Sequence, residues 1–157
     1  MFLGRYRHNL DSKDRLTIPA KYREFLGDDL YFVKGFDANV MAMSTPTFEK
    51  ILHRLEALNI ADPDVRLLNR RILGTATQVE VDRNGRVLLP DFLREEARLG
   101  KELVLVGQGE YFEIWSPEEW AKQIAAQLDT EANNQRFKVL DLLGDASRAW
   151  YLAWHLP

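Results

Sequence analysis

Two apolar periods run through the chain. Phe48, Ile51, Leu52, Leu55 and Leu58 recur three or four residues apart, the spacing of one helix face, and Trp120, Ile124 and Leu128 repeat that spacing further on. Apolar runs at 29–34, 39–43, 102–107 and 111–115, broken by short polar and glycine segments, predict two hairpins. Strands are also expected at about 4–10, 15–18, 75–81 and 86–89. A proline costs nothing in the first turn of a helix, so Pro19, Pro46, Pro63, Pro90 and Pro117 each read as a helix start. Thr45, Asp62 and Ser116 supply side-chain caps, and Ser116 with Glu119 forms a capping-box pattern. Gly27, Gly74 and Gly100 read as helix stops. Beyond Asn133, Phe137, Leu140 and Leu143 suit a further helix up to Gly144, followed by the apolar run Ala149–Trp154.

The pattern is written twice. Leu10-Asp-Ser-Lys-Asp-Arg-Leu-Thr-Ile-Pro19 is answered by Val81-Asp-Arg-Asn-Gly-Arg-Val-Leu-Leu-Pro90. The copies stay in step through Pro19–Arg23 with Pro90–Arg94, Leu26-Gly27 with Leu99-Gly100, and Leu30–Val33 with Leu103–Val106. A period near 70 is too long for a solenoid unit and reads as a duplicated half-domain. The organisation expected is a first half at 1–61, a linking helix at 62–74, a second half at 75–132 and a helical tail at 133–157.

Each copy carries Asp-x-x-x-Arg: Asp11 with Arg15, and Asp82 with Arg86. Asn84-Gly85 predicts a two-residue type I′ hairpin turn, whose central residues both take positive φ. Asp82 and Asp11 are placed to accept backbone N–H groups within their turns. The first copy has Lys13-Asp14 in place of Asn-Gly, and Asp tolerates positive φ less well than Gly. Taken alone, Asp-x-x-x-Arg is hairpin punctuation. Two copies with cations at the tip, Lys13 with Arg15 and Arg83 with Arg86, suit guanine edges and phosphates instead.

Composition narrows the classes. At 157 residues the chain can bury a core unaided, and it has no cysteine for disulfide or thiolate chemistry. No apolar run reaches membrane-helix length, and a cytoplasmic protein is expected. The net charge of −3 opposes nucleic-acid binding, but its distribution does not. Residues 1–27 hold six Lys/Arg, Arg5 and Arg7 among them, against three acids; residues 108–157 hold four against eight. His8, His53 and His155 lack metal-ligand spacing, and neither a P-loop nor a Gly-x-Ser-x-Gly motif occurs. No enzyme, metal or cofactor is expected. Arg66, Arg70 and Arg71 suit either phosphate contacts or a solvated helix face.

Over about residues 1–130 the sequence resembles the MraZ family, within the larger class of AbrB-like swapped-hairpin DNA-binding proteins. The resemblance rests on Met1-Phe-x-Gly4, Asn9-Leu-Asp-Ser-Lys13 with Arg15 and Pro19, Pro63 with Arg66 and Arg70, Leu73-Gly74-x-Ala76, Asp82 to Arg86, and Leu105-Val-Gly-Gln108 before Phe112-Glu-x-Trp115. Asp14 departs from the family's usual Gly. The resemblance implies an α+β fold, with tandem half-barrels forming a double-split β-barrel flanked by helices. It implies a repressor of the division and cell-wall gene cluster, nucleoid-associated, that binds G-rich direct repeats in double-stranded promoter DNA as a homo-oligomeric ring. On that reading Arg15 and Arg86 read bases, Asp11, Asp82 and Gly85 hold the turns, and Lys13, Arg83, Arg5 and Arg7 hold phosphates. The alternative is an antitoxin-like or scaffold barrel whose acidic end binds a protein partner. No membrane association is expected of either.

Overall fold

The computed structural model describes residues 1–138 and Leu140, which fall into two units divided between Trp120 and Ala121. The first unit is α+β. It runs β1 (Arg5–Asn9), β2 (Arg15–Thr17), α1 (Ala20–Arg23), β3 (Asp29–Lys34), β4 (Asn39–Met43), α2 (Thr45–Glu56), α3 (Pro63–Ile72), β5 (Thr77–Glu80), β6 (Arg86–Leu88), α4 (Asp91–Glu96), β7 (Glu102–Gly107) and β8 (Tyr111–Trp115), and ends in the first turn of α5 (Pro117–Gln127).

Both predicted hairpins form, β3 with β4 and β7 with β8. They join through β4 and β8, and each takes an outer strand from the other half of the sequence: β1 pairs with β7, and β5 with β3. The product is one antiparallel sheet, ordered β1-β7-β8-β4-β3-β5, with β2 and β6 as a separate antiparallel ribbon. Neither sheet closes on itself. The two copies are therefore interleaved, and neither half owns a complete sheet.

Alternation explains the layers. Leu16 and Val87 point inward from the ribbon and share one core with Leu30, Phe32, Leu105, Phe112 and Ile114 of the sheet. Val33, Met41 and Met43 face the other way and pack with Phe48 and Leu55 of α2 and Ile72 of α3. The N-terminal arm is tied to the β7–β8 turn: Phe2 N–H donates to Gly109 O at 2.7 Å, and Gly109 N–H to Phe2 O at 2.9 Å.

The helix ends differ from expectation. Pro19 and Pro90 keep ψ near 140° (138° and 141°), so each stands just before its helix and not in its first turn. Gly27 and Gly100 do not close those helices in a left-handed conformation. In the second copy that conformation falls on Arg98 (φ 56°), with Leu99 N–H donating to Arg94 O and Arg98 N–H to Glu95 O, the two bonds of a Schellman closure. Ser44, not Thr45, caps α2: its side chain accepts from Thr47 N–H. Asp62 caps α3 as expected, accepting from Asp64 N–H at 2.9 Å.

The second unit contains the rest of α5 and α6 (Thr130–Lys138), with Asp129 Oδ1 accepting from Ala132 N–H at 3.0 Å. The expected helix toward Gly144 and the apolar run Ala149–Trp154 lie outside the described residues. Among the described residues no helix is long and apolar enough to cross a membrane.

Candidate nucleic-acid interface

The two Asp-x-x-x-Arg segments fold alike. Asp11 Oδ1 accepts from the N–H groups of Lys13 and Arg15, both at 2.9 Å, and its Oδ2 accepts from Arg15 Nε at 2.8 Å. Asp82 Oδ1 accepts from Asn84 N–H at 2.8 Å and Arg86 N–H at 2.9 Å, and its Oδ2 from Arg86 Nε at 2.9 Å. These donors hold both carboxyls low: Asp11 falls from 3.8 to about 2, and Asp82 is lowered too, in each case chiefly through the backbone N–H of the arginine. Each Asp thus staples its Arg through Nε and does not engage the two Nη groups. Those groups have no partner among the described residues.

The turn is not type I′. Gly85 N–H donates to Asp82 O at 2.9 Å, and Gly85 alone in that turn has positive φ, 74°. Arg83 and Asn84 are its central pair, and the left-handed residue follows them; three-residue hairpin loops are built this way. In the first copy Asp14 N–H donates to Asp11 O, and Asp14 takes φ 59°. The departure at Asp14 therefore leaves the backbone unchanged. Nor do β1 and β2 form the hairpin that the turn pattern suggests, since β2 pairs with β6 instead.

That pairing brings the two motifs together. Arg15 lies opposite Leu88, Leu16 opposite Val87, and Thr17 opposite Arg86. With Leu16 and Val87 buried beneath, Arg15, Thr17, Arg86 and Leu88 share the outer face. Diagonal neighbours of this kind sit about 7–8 Å apart. The left-handed residues close the ribbon at both ends: Ile18 N–H donates to Gly85 O at 2.8 Å, and Leu89 N–H to Asp14 O at 3.1 Å.

Two further arginines cross between the halves. Arg23 lies directly over Gly85, where a Cβ would meet its Nη1 at 2.4 Å. Its counterpart Arg94 donates from Nη2 to Asp14 Oδ2 at 3.2 Å and also pairs with Asp91. Sequence reasoning gave neither a role, although both copies share the Pro-x-x-x-Arg spacing that positions them.

The other candidates are dispersed. Lys13 and Arg83 are exposed in the turns. Arg5 and Arg7 alternate along β1 with Tyr6, which packs on the core beneath the ribbon, so they occupy the opposite face; Arg5 lies 5.1 Å over the Trp120 ring. Arg66 donates to Ile60 O and Ala61 O, and Arg71 donates to Gly35 O from Nε and Nη2, so both brace the chain around α3. Glu113 is buried and accepts from Asn39 Nδ2, Gln108 Nε2 and Trp115 Nε1, which makes the Gln108 and Phe112-Glu-x-Trp115 signature a lock on the β4–β8 junction. Burial lowers His8. Among the described residues no group of three His, Cys, Asp or Glu is gathered to hold a metal.

The family model described as "MraZ protein, putative antitoxin-like" matches the chain twice, at residues 1–71 and 72–140. Relatives carrying the name transcriptional regulator MraZ are similar over most of their length. The one from Roseiflexus castenholzii is 37% identical over 142 residues, 90% of this chain and 99% of that protein. The one from Desulforamulus reducens is 40% identical over 143 residues, 91% and 100% of the two chains. The one from Thermomicrobium roseum is 42% identical over 123 residues, 78% and 87%. A family match to both copies of the duplication, with relatives aligned nearly end to end, establishes that the chain belongs to the MraZ family.

Proposed function

We propose that the chain is a sequence-specific DNA-binding transcriptional regulator whose β2–β6 ribbon enters the major groove. The observation that carries this reading is the pair of stapled arginines at opposite ends of one exposed ribbon face. A two-stranded ribbon fits the major groove, and an arginine with both Nη groups free can bind guanine O6 and N7. Arg15 and Arg86 read bases, and Lys13 and Arg83 hold phosphates on either side. Arg5 and Arg7 stay outside this role, on the far face of β1. The names of the relatives support a regulator.

The family resemblance extends the proposal. The fold is a double-split barrel in which the exchanged strands β1 and β5 knit the halves together. The protein represses the division and cell-wall cluster from the nucleoid, as a ring on G-rich direct repeats. Repeated ribbons on one ring raise each other's effective concentration on repeated DNA. The protein-partner alternative has less support, since Glu119 at its acidic end is engaged by Arg98 at 3.2 Å.

The test is a gel shift at about 0.15 M salt with DNA from upstream of the gene and a scrambled duplex. Wild type should prefer the upstream DNA, and Arg15→Ala and Arg86→Ala should each lose about 1–3 kcal/mol of binding per site. If both folded variants bind like wild type, the ribbon is not the reading element.

A further inference from the structure

The ribbon is symmetric in backbone and asymmetric in side chains. Turn for turn and bond for bond, Asp11–Thr17 matches Asp82–Leu88 about an axis between Leu16 and Val87. The outward residues do not match. Leu88 stands opposite Arg15, and Thr17 stands opposite Arg86. Leu88 is 56% exposed. A lone exposed leucine is ordinary on a protein surface. This one sits within a cationic face, at the position where its counterpart is a short hydroxyl residue. The turns differ in the same sense. Asp14 adds a carboxylate at the Arg15 end and engages Arg94, whereas the Arg86 end has Gly85 beneath an exposed Arg23.

We propose that the ribbon reads DNA in one orientation, with Leu88 as the specificity residue that packs on a thymine methyl beside the base contacted by Arg15, and Thr17 as its non-equivalent counterpart beside Arg86. This rests on the ribbon being the reading element. In the major groove the thymine methyl is the apolar feature available to a leucine. A ribbon with identical ends would treat both directions of a site alike and favour palindromes. Unequal ends give the site a direction, and sites of fixed direction can follow one another as direct repeats.

The experiment selects duplexes from a randomised DNA pool with the full-length wild-type chain, then replaces each thymine of the selected site by deoxyuridine, which lacks only the methyl group. Wild type should lose about three- to fourfold affinity at one thymine beside a guanine, the worth of one buried methyl. Leu88→Ala should be insensitive to that same replacement, with an unchanged melting curve since Leu88 is exposed. Exchanging the residues, Thr17→Leu with Leu88→Thr, should move the sensitive position to the other side of the site's centre. If no thymine replacement matters to wild type, or if Leu88→Ala retains the same sensitivity, the inference is overturned. Loss of binding in Arg15→Ala and Arg86→Ala would in that case leave the ribbon proposal standing. Wild-type binding by those two variants would remove both.

Discussion

Replacing Asp14 by Gly should leave stability nearly unchanged and strengthen DNA binding. Asp14 holds φ 59°, a left-handed conformation that costs a non-glycine residue about 1–2 kcal/mol, with Asp among the more tolerant. Glycine removes that strain. It also frees the unfolded chain, which costs roughly 0.4–1 kcal/mol. The ion pair with Arg94, between partly exposed side chains, contributes roughly 0.2–1 kcal/mol and is lost. The backbone bonds of the turn, from Asp14 N–H to Asp11 O and from Leu89 N–H to Asp14 O, need no side chain. The terms nearly cancel, so ΔG should stay within about 1 kcal/mol of wild type. A carboxylate about 7 Å from a phosphate repels it by roughly 0.6 kcal/mol in water, so its removal should tighten binding about threefold. Thermal melting reads the first effect, and titration against upstream DNA at low salt reads the second. A loss above about 2 kcal/mol would mean that the Asp14–Arg94 pair, not the backbone, holds the turn. Unchanged affinity would mean that Asp14 lies far from the phosphates.

The mirror change, Gly85→Asp, adds left-handed strain that the stiffer unfolded chain largely offsets, and in addition drives a Cβ into Arg23, so it should be net destabilising; a melting temperature above that of wild type would contradict the geometry. Gly107→Ala should release the N-terminal arm, since its Cβ would meet the backbone of Leu3 at 2.5 Å, and faster amide exchange at Phe2 and Gly109 would report it. Asp11 is depressed from 3.8 to about 2, so its contribution to stability is complete above its ordinary value and lost as pH falls through about 2; carboxyl titration by NMR should find it charged at pH 3 while ordinary carboxyls protonate. Lys13→Ala should weaken all DNA sequences alike and lower the salt slope by about one, whereas Arg15→Ala should change base preference.

The local features were legible because they depend on neighbours in the chain. The hairpins at 29–43 and 102–115, the α3 cap at Asp62 and the Asp-to-Arg spacing all follow from residues within a dozen positions. Strand partnership was not legible. Nothing in Arg5–Asn9 distinguishes β7 from β2 as its partner, because alternation specifies a face and not a neighbour. Asn84-Gly85 misled for a related reason. The same dipeptide serves a two-residue loop, with both φ positive, or a three-residue loop whose glycine comes last, and the ribbon pairing demanded the second. Arg98 hid its left-handed role because Gly100, two residues on, offered the commoner signal. Arg23 and Arg94 could be found only as a pair, since each acts on the turn of the opposite half.

The interleaving also bears on how a chain of net charge −3 can approach DNA. If each half folded its own hairpin, the cations of the two motifs would stand on separate tips. Pairing β2 with β6 instead gathers Arg15 and Arg86 on one face within about 8 Å, with Lys13 and Arg83 at its ends. The field at a surface follows charges within about a Debye length, roughly 8–10 Å at physiological salt, so a concentrated face outweighs acids elsewhere on the molecule. Asp11 and Asp82 offset part of that charge, but each also fixes its arginine: the carboxylate accepts from two backbone N–H groups and from the arginine Nε, so the guanidinium is held in place with its Nη edge unengaged among the described residues. Writing the turn twice thus produces something neither copy holds alone: a stiff ribbon, closed at both ends by the other copy's left-handed residue, with two oriented arginines on one side.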